Sequence, residues 1–169
     1  MYKRCLDLAS ALGKKSILLL GPRQTGKSTL ARGLGAGTRY FDLSETNTFR
    51  ELSARPESIR QSLSDSTRTV VIDEAQKLPE LFDEVQVLLD RNKSLRVLLT
   101  GSSARKLRRS GVNLLPGRIW RKRLFPLVSA ELGGARIDTR VCRGSLPGII
   151  DSEEFKTELK NYVGLYLEE

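Results

Sequence analysis

Histidine is absent from this 169-residue sequence. That absence excludes Ser-His-Asp and Cys-His catalysis, His-ligated zinc and an imidazole general base. Cysteine occurs only twice, at Cys5 and Cys142, far apart in the chain. Two cysteines cannot build a four-thiolate metal site or a disulfide framework, so a reducing cytosol is the expected compartment. Long apolar runs are also missing. None approaches the roughly 18 residues needed to span a bilayer, so no membrane is expected. The short run Ile17–Leu20 leads straight into Gly21-Pro22-Arg23, which is not how a signal peptide continues. Internal repeats and low-complexity linkers are absent too. What is present is a globular composition of one-domain length, 39% hydrophobic and 29% charged.

The charge is unbalanced in one place. Lys plus Arg exceeds Asp plus Glu by 9. Residues 1–100 carry 16 basic and 12 acidic residues, and 146–169 carry 2 and 6. These segments cancel. The whole excess lies in 101–145, with 11 basic residues against Glu131 and Asp138. A basic excess suggests a polyanionic partner such as nucleotide, nucleic acid or anionic lipid.

Apolar patterning predicts alternating strands and helices. Ser16–Leu20 and Thr69–Asp73 read as strands buried on both faces, with Arg39–Asp42, Leu95–Thr100 and Ile119–Leu124 as further strands. Helices are expected over Arg4–Leu12 (stopped by Gly13), Lys27–Leu34, Thr46–Ala54, Glu57–Leu63, Leu81–Leu89, Ser102–Arg109 and Glu153–Leu167. The alternation predicts an α/β protein with a mostly parallel sheet covered on both faces.

Gly21-Pro22-Arg23-Gln24-Thr25-Gly26-Lys27-Ser28 fits G-x-x-x-x-G-K-[ST] between a buried strand and a helix. The glycines let the loop wrap so that backbone N–H groups face phosphate oxygens, and the helix start adds partial positive charge. Lys27 is the candidate for the β- and γ-phosphates, Ser28 for Mg²⁺, and Thr29 continues the contact set.

Asp73 and Glu74 close the third strand. Such a pair serves as a helix cap and first-turn acid in many proteins. Beside a phosphate loop, Asp73 is the candidate to hold Mg²⁺ and Glu74 to polarise a water for in-line attack on the γ-phosphate. A base aimed at water argues for hydrolysis. At the end of the fourth strand, Thr100 is a candidate γ-phosphate sensor, and Ser102 or Ser103 a cap for the next helix.

Taken in order, these motifs resemble P-loop ATPases of the AAA+ type, and within them the prokaryotic predicted ATPases that pair an AAA domain with DUF4143. The resemblance runs through Gly21–Ser28, Tyr40-Phe41-Asp42-Leu43 with Arg50 and Pro56, Ile72–Pro79, and Leu99–Ser103. It continues through Leu115–Arg118, Leu124–Leu127 with Glu131, and Arg143–Pro147. It implies a three-layer α/β/α fold with a five-stranded sheet, and ATP as the nucleotide; no guanine-reading Asn-Lys-x-Asp is present. Arg118 resembles an arginine finger acting on a neighbouring subunit's nucleotide, against the alternative of a structural arginine at the Gly117 turn. Family members continue further, so 1–150 is expected to be the ATPase core and 151–169 a helix leading onward, in a chain lacking its C-terminal part.

Three readings stand for 101–145: an intersubunit edge of a homo-oligomer, a weak salt-sensitive nucleic-acid surface, or a solvated face. Trp120 is the only aromatic among Arg118–Arg123, which gives base stacking little support. The alternative to an ATPase is a nucleotide-dependent switch or DNA-associated module with little hydrolysis.

Overall fold

A computed structural model describes residues 2–102, 107, 114–133 and 141–167. They form two compact units. One comprises Asp7–Gly21 and Lys27–Leu124; the other comprises Met1–Leu6, Pro22–Gly26 and Phe125–Glu169.

The larger unit is a five-stranded, all-parallel sheet in the order β2-β3-β4-β1-β5. Its strands are β1 (Ser16–Leu20), β2 (Thr38–Asp42), β3 (Thr69–Asp73), β4 (Arg96–Gly101) and β5 (Ile119–Arg123). β1 is an interior strand, between β4 and β5, and every residue in it is buried. That burial requires cover on both faces, as parallel connections through helices provide. The expected three-layer α/β architecture is therefore present. α1 (Leu8–Lys14) packs on β1 and β4, α2 (Lys27–Arg32) and α5 (Leu81–Arg91) on β4, and α3 (Thr46–Ala54) on β2 and α4 (Ser58–Gln61). α5 turns Leu81, Phe82, Val85 and Leu88 into one core with Leu18, Val70, Ile72, Val97 and Leu99.

The first helix departs from expectation. It begins at Leu8, where Asp7 Oδ1 accepts the Ser10 amide at 3.0 Å and caps it. Gly13 lies inside the helix, which runs on to Lys14. A glycine lowers helix stability but does not stop a turn whose Leu8 and Leu12 are already buried. The expected helix over Ser102–Arg109 falls, apart from Ser102 and Leu107, outside the described residues. So do Arg105, Lys106, Arg108, Arg109, Arg136 and Arg140.

Within the smaller unit, Leu127, Leu132 and Ile150 form a cluster with Tyr2 against it. Its final helix, α6 (Phe155–Leu167), half-buries Phe155, Leu159 and Tyr162 and leaves Val163 53% exposed.

Candidate functional site

Parallel register lines up the carboxyl ends of the strands. Leu19 pairs with Thr100 and Leu20 with Gly101 across β1 and β4; Asp42 pairs with Asp73 across β2 and β3. Ligands of open α/β sheets bind outside this edge, where neighbouring connections diverge. Here β1 is flanked by β4 and β5, not by β2.

Asp73 is buried at that edge, 2% exposed, and both its oxygens accept hydrogen bonds. The Thr100 hydroxyl donates to Oδ1 and the Tyr40 phenol to Oδ2. Burial, then the bond to Asp73, pushes the Tyr40 phenol well above its ordinary pKa, so it stays a donor. The Arg32 guanidinium lies 5.1 Å from the Tyr40 ring centre and pairs with Asp42 at 2.8 Å. Burial alone would raise the Asp42 carboxyl. The Ser44 hydroxyl and amide, with Arg32, outweigh that and hold it below the usual carboxylate range.

Thr100 also accepts the Glu74 amide at 3.1 Å, so one hydroxyl ties together the ends of β3 and β4. Glu74 adopts φ 59°, ψ 41°, a left-handed conformation unusual for glutamate. Its Oε2 accepts from the Gln76 side-chain amide. Asp73, Glu74 and Thr100 are thus brought into one hydrogen-bonded group. The same group holds Tyr40 and Gln76, to which residue patterning had given no role. Gln76 stands within the acidic motif itself, and Tyr40 precedes Asp42 by two; neither carries a periodicity that marks a polar partner.

Lys27, the first residue of α2, is only 5% exposed and its Nζ donates to the Gly21 carbonyl at 2.9 Å. Ser28 and Thr29 follow it in α2. In the smaller unit the loop 22–26 is held by its carbonyls. Pro22 accepts the Thr25 hydroxyl at 2.8 Å, Arg23 accepts from Tyr162 at 3.2 Å, and Thr25 accepts from Arg4 at 2.6 Å. Gln24 and Gly26 take positive φ, 60° and 87°. Among the described residues the amides of Gln24, Thr25 and Gly26 find no acceptor. A loop with fixed carbonyls and unsatisfied amides suits an anion of several oxygens.

Arg118 does not join this group. It grips Asp90 of its own chain bidentately, at 3.0 Å from Nε and 3.0 Å from Nη2. A cavity of about 330 Å³ beside β2, walled by Arg32, Tyr40, Asp42 and Glu45, includes neither Lys27 nor Asp73. Ser103 lies outside the described residues.

Residues 13–133 match the family model described as "AAA domain". The chain belongs to the AAA domain family. An AAA domain is a nucleotide-binding module of the ATPase type, which accords with the phosphate-loop sequence and the sheet that carries it. Two curated relatives are each 33% identical over 132 residues: proteins named as uncharacterized from Mycobacterium bovis and Mycobacterium tuberculosis. That alignment covers 78% of this AAA domain chain but 30% of each relative, so the chain spans under a third of their length. Among the described residues no helix is long and apolar enough to cross a membrane.

Proposed function

We propose that this AAA domain binds ATP with Mg²⁺ and hydrolyses it. The observation that carries this reading is the Asp73 carboxylate, buried at the sheet edge with each oxygen engaged by a hydroxyl donor. A carboxylate so fixed suits Mg²⁺, which is commonly bound through one or two carboxylates plus substrate phosphates and waters. Each Asp73 oxygen has a second lone pair to offer. No cluster of three or more acidic, Cys or His ligands exists among the described residues, and an Mg²⁺ of this kind needs none.

In this reading Ser28 and Asp73 hold the metal, which neutralises charge on the β- and γ-phosphates. Gly21, Pro22, Arg23, Gln24, Thr25, Gly26 and Thr29 line the phosphate chain, and Lys27 exchanges the Gly21 carbonyl for phosphate oxygens. Thr100 senses the γ-phosphate, and Glu74 accepts a proton from the attacking water. The test is nucleotide binding and single-turnover hydrolysis by the full chain. Lys27→Ala should abolish binding or turnover. Glu74→Gln should keep binding and lose hydrolysis. Full turnover in Glu74→Gln would remove the water-activation role.

The Arg118–Asp90 pair favours a second reading, a switch that hydrolyses little until its subunits assemble. Asp90 occupies the Arg118 fork within one chain, and a homo-oligomer would have to release it for a finger role in trans. A specific rate that rises with protein concentration supports that reading. A flat rate counts against it. The resemblance to AAA–DUF4143 proteins, and relatives of which the alignment covers only 30%, support a larger protein in which this domain powers work elsewhere. Residence in the cytosol and weak nucleic-acid binding through 101–145 belong to the same proposal.

A further inference from the structure

We propose that Gln76 is the positioning residue for Glu74, an inference that rests on the reading of Glu74 as the group that takes the water proton. Gln76 lies in the 3-10 turn Ala75–Lys77, two residues beyond Glu74. Its Nε2 donates to Glu74 Oε2 and also reaches Ser102 Oγ at 3.3 Å. One amide therefore joins the carboxylate to the residue that follows β4. Glu74 itself is held by its backbone N–H on Thr100. Main chain and side chain are each fixed by a separate bond.

The seat for Gln76 carries a cost. Its Oε1 is buried and, among the described residues, without a hydrogen-bond partner. An apolar side chain of the same length would avoid that penalty. The amide cannot relieve it by flipping, because Oε1 would then face the Glu74 carboxylate, acceptor against acceptor. Gly101 completes the seat: a Cβ there would stand 2.9 Å from Gln76 Oε1. A polar group kept at a cost, in a space cleared for it, is accounted for by what its donor does. It selects one rotamer of Glu74 and leaves the carboxylate's remaining lone pairs to accept a proton from water.

The experiment measures nucleotide affinity and single-turnover hydrolysis, at saturating Mg²⁺ and ATP, for the full chain, Glu74→Gln, Gln76→Met and the double variant. Methionine keeps the length and removes the donor. Gln76→Met is expected to bind nucleotide within about twofold of wild type and to hydrolyse it at least about tenfold more slowly. The double variant should be no slower than Glu74→Gln, because residues that act through one another are not additive. A further tenfold loss in the double variant overturns the proposal, since Gln76 would then act independently of Glu74. Wild-type hydrolysis by Gln76→Met beside a dead Glu74→Gln overturns it while sparing the Glu74 role. Wild-type hydrolysis by Glu74→Gln, or none by the unaltered chain, overturns both. Should Gln76→Met not fold, the Gln76 side-chain amide resonance decides: a shift in Glu74→Ala supports the bond, and an unchanged resonance overturns it.

Discussion

Tyr40 donates its phenolic hydrogen to Asp73 from the neighbouring edge strand. The bond crosses from β2 to β3 and fixes a carboxylate that, among the described residues, would otherwise be held by the Thr100 hydroxyl alone. Tyr40→Phe keeps the ring under Arg32 and removes the donor. A hydrogen bond to a charged group contributes about 1.5–3 kcal/mol, and Asp73 is only 2% exposed. Urea unfolding of Tyr40→Phe is expected to lose about 2 kcal/mol. Nucleotide binding should also require more Mg²⁺. An unchanged Mg²⁺ midpoint would show that Thr100 alone orients the carboxylate.

Local sequence made much of this arrangement readable. Ile17–Leu20 and Val70–Ile72 are short apolar runs bounded by polar or turn residues, as a doubly covered parallel strand reads. The phosphate loop and the acidic pair were visible because each is contiguous. Tyr40, Gln76 and Arg4 were not. Their roles depend on partners brought close by strand register or by long-range folding: Tyr40 and Asp73 are 33 residues apart, and Arg4 and Thr25 are 21 apart. Gly13 misled because a stop signal acts only where burial does not already hold the turn.

Arg4 and Glu131 form the charged centre of the smaller unit. They lie 3.0 Å apart, 9% and 3% exposed. Arg4 also donates to the carbonyls of Thr25 and Phe125, both at 2.6 Å. Burial would raise the Glu131 carboxyl, but the Cys5 amide, Arg4 and the Val128 amide together hold it below its ordinary value. A depressed carboxylate adds stability that is complete above the unfolded pKa of about 4.3. That stability is lost as pH falls through the folded value. Glu131→Gln should therefore cost about 3 kcal/mol at pH 7, the scale for stranding one partner of a buried pair. The deficit should shrink below pH 4. Denaturant midpoints for both proteins between pH 3 and 7 check it, and parallel curves would remove Glu131 as the titrating group.

Gly101→Ala tests the seat of Gln76 from the opposite side. The new methyl would meet Gln76 Oε1 at 2.9 Å and Leu20 Cδ2 at 3.4 Å. The amide must shift, and with it the bonds to Glu74 and Ser102. Gly101 has ordinary negative φ, so the backbone accepts alanine and the effect falls on the amide. Stability should change by about 1 kcal/mol or less. Hydrolysis should fall about as far as in Gln76→Met, with nucleotide affinity kept. Full hydrolysis would show that the amide has room to move.

Ser16 fixes the first contact between β1 and β4. It is 3% exposed, and its hydroxyl oxygen accepts the Val97 amide at 2.9 Å across 81 residues of sequence. The next pairs are Ile17 with Leu98 and Leu18 with Leu99. The bond thus closes the ladder at the end opposite Thr100 and satisfies an amide that a buried strand start leaves exposed to no solvent. Ser16→Ala is nearly isosteric, so packing is kept and the donor is stranded. A stranded buried donor costs about 1–3 kcal/mol. Thermal unfolding should register that loss while nucleotide binding stays unchanged, because the carboxyl ends of both strands keep their register. Protection of the Val97 amide from hydrogen exchange should fall by about tenfold or more, the equivalent of about 1.4 kcal/mol. Full protection in Ser16→Ala would show that the amide has another acceptor.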